Sequence, residues 1–342
     1  MLYRNLGRTG LKVSEICLGT FNFGNQVTET DSISIIWRAL EAGINFLDTS
    51  DGYIKGISET TVGKALKGKR QGVVLATKVA FVTGPGVNDR GLSRRHIMDA
   101  IEGSLRRLQT DYIDLYYAHV PDYETPIEET LRAYDDLIRQ GKVRYIGCSN
   151  FFSWQLCKAL WVSDVRNLAR FECVESPYNL VLRDIEDELV PLCTSEKVGI
   201  CVYNPLAGGL LTGKYDRTKP PPAGTRFTMS GEKSHMSNNM PKGAVYSKRY
   251  WSETNFDVID QLQKVAKEHG RNMTQLALAW ILGNSAISSA ICGVSSFDQL
   301  DQNVQIPGIV LSPEERAACD EAWSRIRPRR FTYGRPPEGM TV

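Results

Sequence analysis

Short apolar runs rich in β-branched and aromatic residues recur down this chain. Each is followed by a stretch whose apolar positions return every three or four residues. The runs fall at 15–18, 45–48, 73–78, 113–118, 143–147, 170–174, 199–203 and 288–292. Strand followed by helix, repeated eight times, is the count a closed α/β barrel needs. The clearest intervening helix is expected to start with Thr125 as N-cap, Pro126 at the first position and Glu128 completing a capping box, and to stop at Gly141. Its residues Ile127, Leu131, Tyr134 and Ile138 fall on one stripe. Ile33, Ile36, Trp37 and Leu40 form a second stripe before Gly43, and Ile97, Ile101, Leu105 and Leu108 a third. Such stripes suit helices covering a sheet.

Repeated strand–helix–strand units require parallel strands, in a closed barrel or an open doubly wound sheet. An open sheet binding a dinucleotide would carry G-x-G-x-x-G between strand and helix. The closest match, Gly84-Pro85-Gly86-Val87-Asn88-Asp89, lacks the last glycine. The expected fold is therefore α/β, a (β/α)8 TIM barrel, forming one domain over 1–342. Residues 2–13, turning at Gly7 to Gly10, read as an N-terminal β-hairpin plugging the barrel's bottom, and an extra helix is expected at the C-terminal end. The stretch 215–251 is long and polar, with Pro220 to Pro222, and follows the seventh strand, where it would stand over the barrel's C-terminal face as a lid.

Composition narrows the partners. The 342 residues are 42% hydrophobic and 23% charged with a formal charge of +2, so a core can be buried and no basic footprint for nucleic acid or a membrane surface exists. A small-molecule partner is expected. Eight cysteines occur with no C-x-x-C pair and no histidine at metal-ligand spacing, which suits thiols packing as small hydrophobes in a reducing compartment. Met1 to Leu6 holds no continuous apolar segment, and nowhere do eighteen apolar residues run together, so a cytoplasmic protein is expected.

On a barrel, chemistry sits where strands meet the following loops. Four polar residues stand at such ends: Asp48 and Tyr53 after the second strand, Lys78 at the end of the third and His119 after the fourth. Taken singly, Asp48 suits a loop cap, Tyr53 surface packing and His119 a structural role. Lys78, directly after an apolar strand, would be partly buried and would need an anionic partner.

Taken together these residues resemble the aldo-keto reductase superfamily. The likeness runs from Leu6-Gly7-Arg8-Thr9-Gly10-Leu11-Lys12-Val13-Ser14 to the segment Gly293 to Asn303. It includes Asp48 to Tyr53, Thr77-Lys78, Asp111-Tyr112-Ile113-Asp114 leading to His119, Gly147-Cys148-Ser149-Asn150, Tyr178-Asn179, and Pro205-Leu206 through Leu211-Thr212-Gly213-Lys214. The resemblance implies that Asp48, Tyr53, Lys78 and His119 form a catalytic tetrad reducing aldehydes or ketones. A carbonyl accepting hydride needs a proton, and tyrosine, with a reference pKa of about 10, is a poor acid near neutrality. A nearby lysine ammonium would lower that value, Asp48 would hold the lysine, and His119 would orient the carbonyl.

The same resemblance implies a nicotinamide cofactor, NADPH by family preference with NADH open. Its site would comprise Gly19, Thr20, Phe21, Asp48, Ser149, Asn150, Tyr203, Asn204, Pro205, Leu206 and Gly208, with Tyr203 stacked on the nicotinamide ring. Lys214 and Arg226 would hold phosphates, with solvated surface charge as the alternative for Arg226. Gly293, Ser295, Gln299, Gln302 and Asn303 would receive the adenosine and its 2′-phosphate, although no arginine occurs within 293–303. Ser149 and Asn150 are also compatible with capping the next helix, and Ser296 and Gln299 with a capping box. Where relatives place glutamine against the nicotinamide carboxamide, this chain has Glu175, whose carboxylate accepts a hydrogen bond but cannot donate one. Phe81, Tyr246, Tyr250 and Trp251 suggest either a partly apolar substrate pocket or exposed packing, and the tail Arg327-Pro328-Arg329-Arg330 a solvated run or a subunit contact. Substrate identity and oligomeric state are not legible. The alternative function is a cofactor-binding regulatory subunit resembling potassium-channel β-subunits.

Overall fold

Eight parallel strands hydrogen-bond in a closed ring: β3 (Ile16–Gly19), β4 (Phe46–Asp48), β5 (Val74–Val79), β6 (Ile113–Ala118), β7 (Val143–Ser149), β8 (Phe171–Pro177), β9 (Gly199–Tyr203) and β10 (Ile287–Gly293), which returns to β3. This computed structural model describes residues 1–228 and 242–327. Each of the eight apolar runs lies in one of these strands. The barrel is wrapped by α1 (Glu29–Glu41), α2 (Ile57–Ala65), α3 (Arg94–Leu108), α4 (Ile127–Arg139), α5 (Ser153–Arg166), α6 (Leu189–Glu196), α7 (Lys242–Tyr250), α8 (Glu253–Glu268), α9 (Met273–Leu282) and α10 (Phe297–Val304). The extra helix, α11 (Pro313–Ile326), opens on a capping box between Ser312 and Glu315 with Pro313 at its first position, and packs on α8. Among the described residues no helix is long and apolar enough to cross a membrane.

The stripes of α1, α3 and α4 face the sheet with local corrections. On α1 the buried positions are Ser32, Ile35, Ile36 and Ala39, whereas Trp37 is 43% exposed and lies at the flank, its indole N–H donating to Ala65 O at 2.8 Å. Thr125 does not cap α4. Its hydroxyl donates instead to Asp122 at 2.8 Å, Pro126 takes the cap position, and Glu128 pairs with Arg132 and Arg166 rather than closing a box. Pro126 is the reason, since it places no donor or acceptor side chain at the cap. Likewise Phe152, not Ser149 or Asn150, precedes α5.

A hairpin of β1 (Tyr3–Asn5) and β2 (Lys12–Ser14) closes the N-terminal mouth of the barrel. It delivers Leu6 and Val13, both fully buried, into a cluster with Cys17, Phe46, Val74, Leu115, Tyr117, Cys173 and Cys201. That cluster is the barrel's interior. Along every strand the alternate residues Leu18, Leu47, Leu75, Tyr116, Val174 and Val202 belong to the outer core beneath the helices. Side chains on a strand alternate faces. Continuing the inward set one step beyond the apolar layers therefore brings Gly19, Asp48, Lys78, His119, Ser149, Glu175, Tyr203 and Gly293 to the C-terminal rim.

The plug depends on Gly7. Its φ is +57°, and a Cβ there would lie 2.5 Å from Gly199 N and 2.6 Å from Lys197 O. Gly7→Ala should destabilise the fold by roughly 1–3 kcal/mol, combining the left-handed backbone with the collision. An unchanged urea midpoint would show that the hairpin is not seated against β9 as described.

Candidate active site

Lys78 is completely buried and points up the barrel axis. Its ammonium donates to Asp48 Oδ1 at 2.5 Å, to Thr49 O at 2.9 Å and to the Tyr53 hydroxyl at 3.2 Å. Glu175 Oε2 forms a further ion pair with it at 3.4 Å. Asp48 is thus the anionic partner that a buried lysine requires, with the Glu175 carboxyl beside it. Tyr53 reaches the lysine because the chain after β4 stays attached to β5, through Thr49 N–H to Ala76 O at 3.0 Å and Asp51 N–H to Lys78 O at 3.4 Å. It then turns sharply, with Ile54 and Lys55 at φ of 50° and 54°. A β-branched residue in that region is strained, and such strain gathers where side chains must be aimed.

His119 is buried beside the phenol, its ring centroid 5.8 Å from that of Tyr53 and 4.4 Å from that of Phe81. Its Nδ1 lies 3.1 Å from Ser50 Oγ. The structure therefore brings all four candidate tetrad residues to one point. Ser50 had no place in the sequence argument, although it stands inside the Asp48 to Tyr53 motif.

The electrostatics differ from the simple expectation. Burial raises the Tyr53 hydroxyl above its ordinary value. Lys78 pulls it down, while Asp48 and Glu175 push it up, and burial prevails. Burial alone would strip Lys78 of its proton, but Asp48, Glu175 and Tyr53 outweigh that and keep the ammonium charged. Two carboxylates now face one cation, and burial pushes the Glu175 carboxyl up to about 8 despite the opposing pull of Lys78. A carboxyl so raised holds its proton to higher pH than an ordinary carboxylate does, and in that protonated form it accepts and donates as a glutamine does.

These residues open onto a cleft of 670 Å³ lined by Gly19, Thr20, Phe21, Asp48, Tyr53, His119, Asn150, Glu175, Tyr203, Asn204, Pro205, Leu206, Gly208, Arg226, Gly293 and Asn303. Tyr203 donates to Asn150 Oδ1 at 2.7 Å, and Asn150 donates to His119 O at 2.9 Å. Asn204 accepts from Tyr246 at 3.0 Å. Gly208 and Gly209 have φ of 69° and 95°, and a Cβ on Gly208 would lie 2.9 Å from the Tyr246 ring. The Arg226 guanidinium lies 4.2 Å over the Phe21 ring. Ser149 is fully buried behind Asn150, from which its Oγ accepts at 2.9 Å. Ser295, just before α10, Gln299 in its first turn and Gln302 in its second are exposed, with Gly293 two residues before Ser295 and Asn303 next to Gln302. Ser296 accepts from Gln299 N–H, but the glutamine side chain returns to Ser295 rather than Ser296. Lys214 is outside the cleft lining, with its ammonium 5.2 Å over the Tyr215 ring.

Gly209, expected beside Gly208 at the pyrophosphate, lines the cleft too, and Asn22, Gly52, Lys55, Val82, Ile291 and Cys292 line it without having been singled out in the sequence. Ile291 carried a usable signal, two residues before the motif glycine Gly293. Asn22 and Lys55 lie on loops whose course only packing decides. Conversely, Tyr250 is fully buried, and Trp251 is packed against Phe227 at 4.9 Å, so of the four aromatic candidates only Phe81 and Tyr246 face the cleft. The stretch 215–251 is therefore not simply polar: its described part holds the aromatic cluster of Tyr215, Phe227, Tyr246 and Trp251. Residues 229–241 of that expected lid, and Arg329 and Arg330 of the tail, lie outside the described residues. The near-glycine motif at 84–89 binds itself, Gly86 N–H donating to Asp89 at 2.7 Å.

No disulfide forms among the eight cysteines, of which only Cys157 is exposed. Among the described residues no cluster of metal-ligating side chains exists.

Comparison with known proteins gives one family and relatives of two kinds. A sequence model of the aldo/keto reductase family matches residues 15–324. A probable voltage-gated potassium channel subunit beta of Arabidopsis thaliana is 36% identical, with 91% of this chain and 92% of that protein covered. The oxidoreductase YrpG of Bacillus subtilis is 37% identical, with 92% of this chain and 93% of that protein covered. The aldo-keto reductase YhdN, from the same bacterium, is 36% identical with 92% of each covered.

The raised Glu175 carboxyl predicts a pH dependence of stability. Between its ordinary 4.5 and about 8 the folded chain keeps a proton that the unfolded chain releases. Ionisation therefore opposes folding, and this contribution falls as pH rises through that window and levels above it. Glu175→Gln removes the effect. Its urea midpoint should gain on the parent protein between about pH 5 and about pH 9. A constant difference would mean that Glu175 is ionised throughout.

Proposed function

The chain belongs to the aldo/keto reductase family and is an NAD(P)H-dependent oxidoreductase acting on small carbonyl compounds, and from that premise we propose that it reduces an aldehyde or ketone to the alcohol with Tyr53 as proton donor. The observation that carries this reading is the buried contact between the Lys78 ammonium and the Tyr53 hydroxyl at the mouth of the cleft. When bound, the dihydronicotinamide supplies the hydride. As the carbonyl oxygen becomes an alkoxide, Tyr53 gives it a proton, and Lys78, 3.2 Å away, stabilises the phenolate left behind. Asp48 fixes that ammonium, and His119 donates to the same substrate oxygen and orients it.

The cleft suits a nicotinamide dinucleotide. Asp48 Oδ2 is buried at its floor without a hydrogen-bond partner, and Glu175 Oε2 has only the Lys78 ammonium at 3.4 Å beside it, so both can meet ligand donors. Protonated Glu175 meets a carboxamide as both acceptor and donor, so the exchange of glutamine for glutamate leaves the group bindable. Tyr203, held by Asn150, offers its ring to the nicotinamide. Gly208 and Gly209 let the backbone approach the pyrophosphate, with Arg226 rising beside Gly208 to lie over Phe21 and Lys214 behind Gly209. We assign NADPH as the preferred donor, its adenosine end at Gly293, Ser295, Gln299, Gln302 and Asn303, and the cytoplasm as the compartment. The reading of the protein as a regulatory subunit is the rival, since relatives named as channel subunits match equally well. Asp48, Tyr53, Lys78 and His119, assembled at one point, favour turnover.

Tyr53→Phe keeps the ring and removes the proton. It should bind NADPH with unchanged Kd while carbonyl reduction falls about 10²–10⁴-fold. Near-normal turnover would refute the assignment. The ratio of kcat/KM for NADPH over NADH, followed by loss of reduced-cofactor absorbance across a carbonyl panel, should exceed one. A ratio below one would move the 2′-phosphate site away from α10.

A further inference from the structure

Ser50 lies behind the active site and has more neighbours than a hydroxyl can serve in one way. Its Oγ is 3.2 Å from Gly52 N, 3.1 Å from His119 Nδ1 and 3.3 Å from Asp51 Oδ1. A hydroxyl has one proton to give and two lone pairs. The Gly52 N–H can only donate and occupies one lone pair. Of His119 and Asp51, one must therefore receive the hydroxyl proton and the other must donate. If Asp51 is ionised, it receives, His119 carries its proton on Nδ1, and Nε2 is bare. If Asp51 is protonated, it donates, Ser50 gives its proton to Nδ1, and Nε2 carries the hydrogen. The state of one carboxyl thus chooses the imidazole tautomer.

The surroundings of Asp51 decide between these. It is 3% exposed, and its second oxygen, Oδ2, is buried without any partner. The groups facing it are Glu59 on α2, Arg107 on α3, and the phenols of Tyr116 on β6 and Tyr134 on α4. Arg107 does not neutralise it, because its Nε donates to Glu59 Oε2 at 2.7 Å. Glu59, fully buried, has its other oxygen taken by Thr77 at 2.6 Å and contributes only a like charge. The hydroxyls of Tyr116 and Tyr134 are themselves buried and unpartnered, so neither is engaged in stabilising a carboxylate. A buried carboxylate with no counter-ion and no full set of donors takes up a proton. Burial first and Glu59 second hold the Asp51 carboxyl well above its usual range, against Arg107, the Gly52 N–H and the Ser50 hydroxyl.

We propose that Asp51 and Ser50 are positioning residues that set the tautomer of His119, keeping Nε2 protonated so that the imidazole donates to the substrate's carbonyl oxygen. No proton crosses this chain of bonds during turnover, since Tyr53 supplies the one consumed. The proposal rests on the reading of His119 as the residue that meets the carbonyl. It adds a consequence: when alkali ionises Asp51, Ser50 turns toward it, the hydrogen leaves Nε2, and reduction slows.

Nitrogen-15 NMR of histidine-labelled protein saturated with NADP+ reads the tautomer directly, with His119→Gln assigning the signals. Near neutrality His119 should show a protonated Nε2 and a bare Nδ1. Ser50→Ala should mix the tautomers and lower kcat roughly ten-fold, the worth of one oriented hydrogen bond, with KM for NADPH unchanged. Asp51→Asn keeps a donor toward Ser50 and removes the titration, so the alkaline fall in kcat should move to higher pH. Thermal unfolding of each variant separates these effects from loss of fold. A proton on Nδ1 in the parent protein overturns the proposal, as does an unchanged tautomer and kcat in Ser50→Ala. An unmoved alkaline limb in Asp51→Asn removes Asp51 from it. The spectra do not need turnover: the expected tautomer in a protein that reduces no carbonyl would sink the function reading while leaving this inference in place.

Discussion

A lysine ammonium with no exposed surface, placed inside a barrel of apolar side chains, is the constraint around which this site is built. A charge so buried is tolerable only when oxygens surround it. Asp48, Thr49 O and the Tyr53 hydroxyl supply hydrogen bonds, and Glu175 supplies a second carboxylate. The ammonium they hold in turn donates to the Tyr53 hydroxyl. In the proposed reaction, satisfying a structural demand and aiming a reactive phenol are the same arrangement.

The second carboxylate gives the site its individual character. One cation cannot hold two buried carboxylates ionised with equal ease, and Glu175 keeps its proton well above the usual carboxylate range. Asp51 meets the same difficulty on the other side of Tyr53, where Glu59 crowds it and Arg107 is already committed. Carboxyls raised by burial therefore flank the candidate tetrad twice. In the reading proposed above, each in its protonated form restores the donor that an ionised carboxylate lacks, toward a carboxamide in one case and toward Ser50 in the other.

Strand parity explains why so many site residues were legible. The eight apolar runs marked the strands, and stepping by two along each from buried residues such as Phe46, Ala76, Tyr117, Cys173 and Cys201 arrives at Asp48, Lys78, His119, Glu175 and Tyr203. Local rules failed where neighbouring elements compete for a side chain. Asp122 claimed the hydroxyl of Thr125, and the edge of α2 claimed the indole of Trp37. Tyr250 and Trp251 pack into the core and an aromatic cluster rather than facing the cleft, a choice no periodicity encodes.

The sequence by itself determined the barrel, its hairpin plug and the four polar residues at its rim, because alternation along a strand is a covalent property of the chain. It also showed that residue 175 is a glutamate. Only the tertiary structure decided where that glutamate lies, bringing it within 3.4 Å of Lys78 although two strands, β6 and β7, intervene along the chain. Only there did Ser50 become a neighbour of His119 and Asp51 a carboxyl without a counter-ion. Proton affinities depend on burial and on charges remote in sequence, and those come into being when the ring of strands closes.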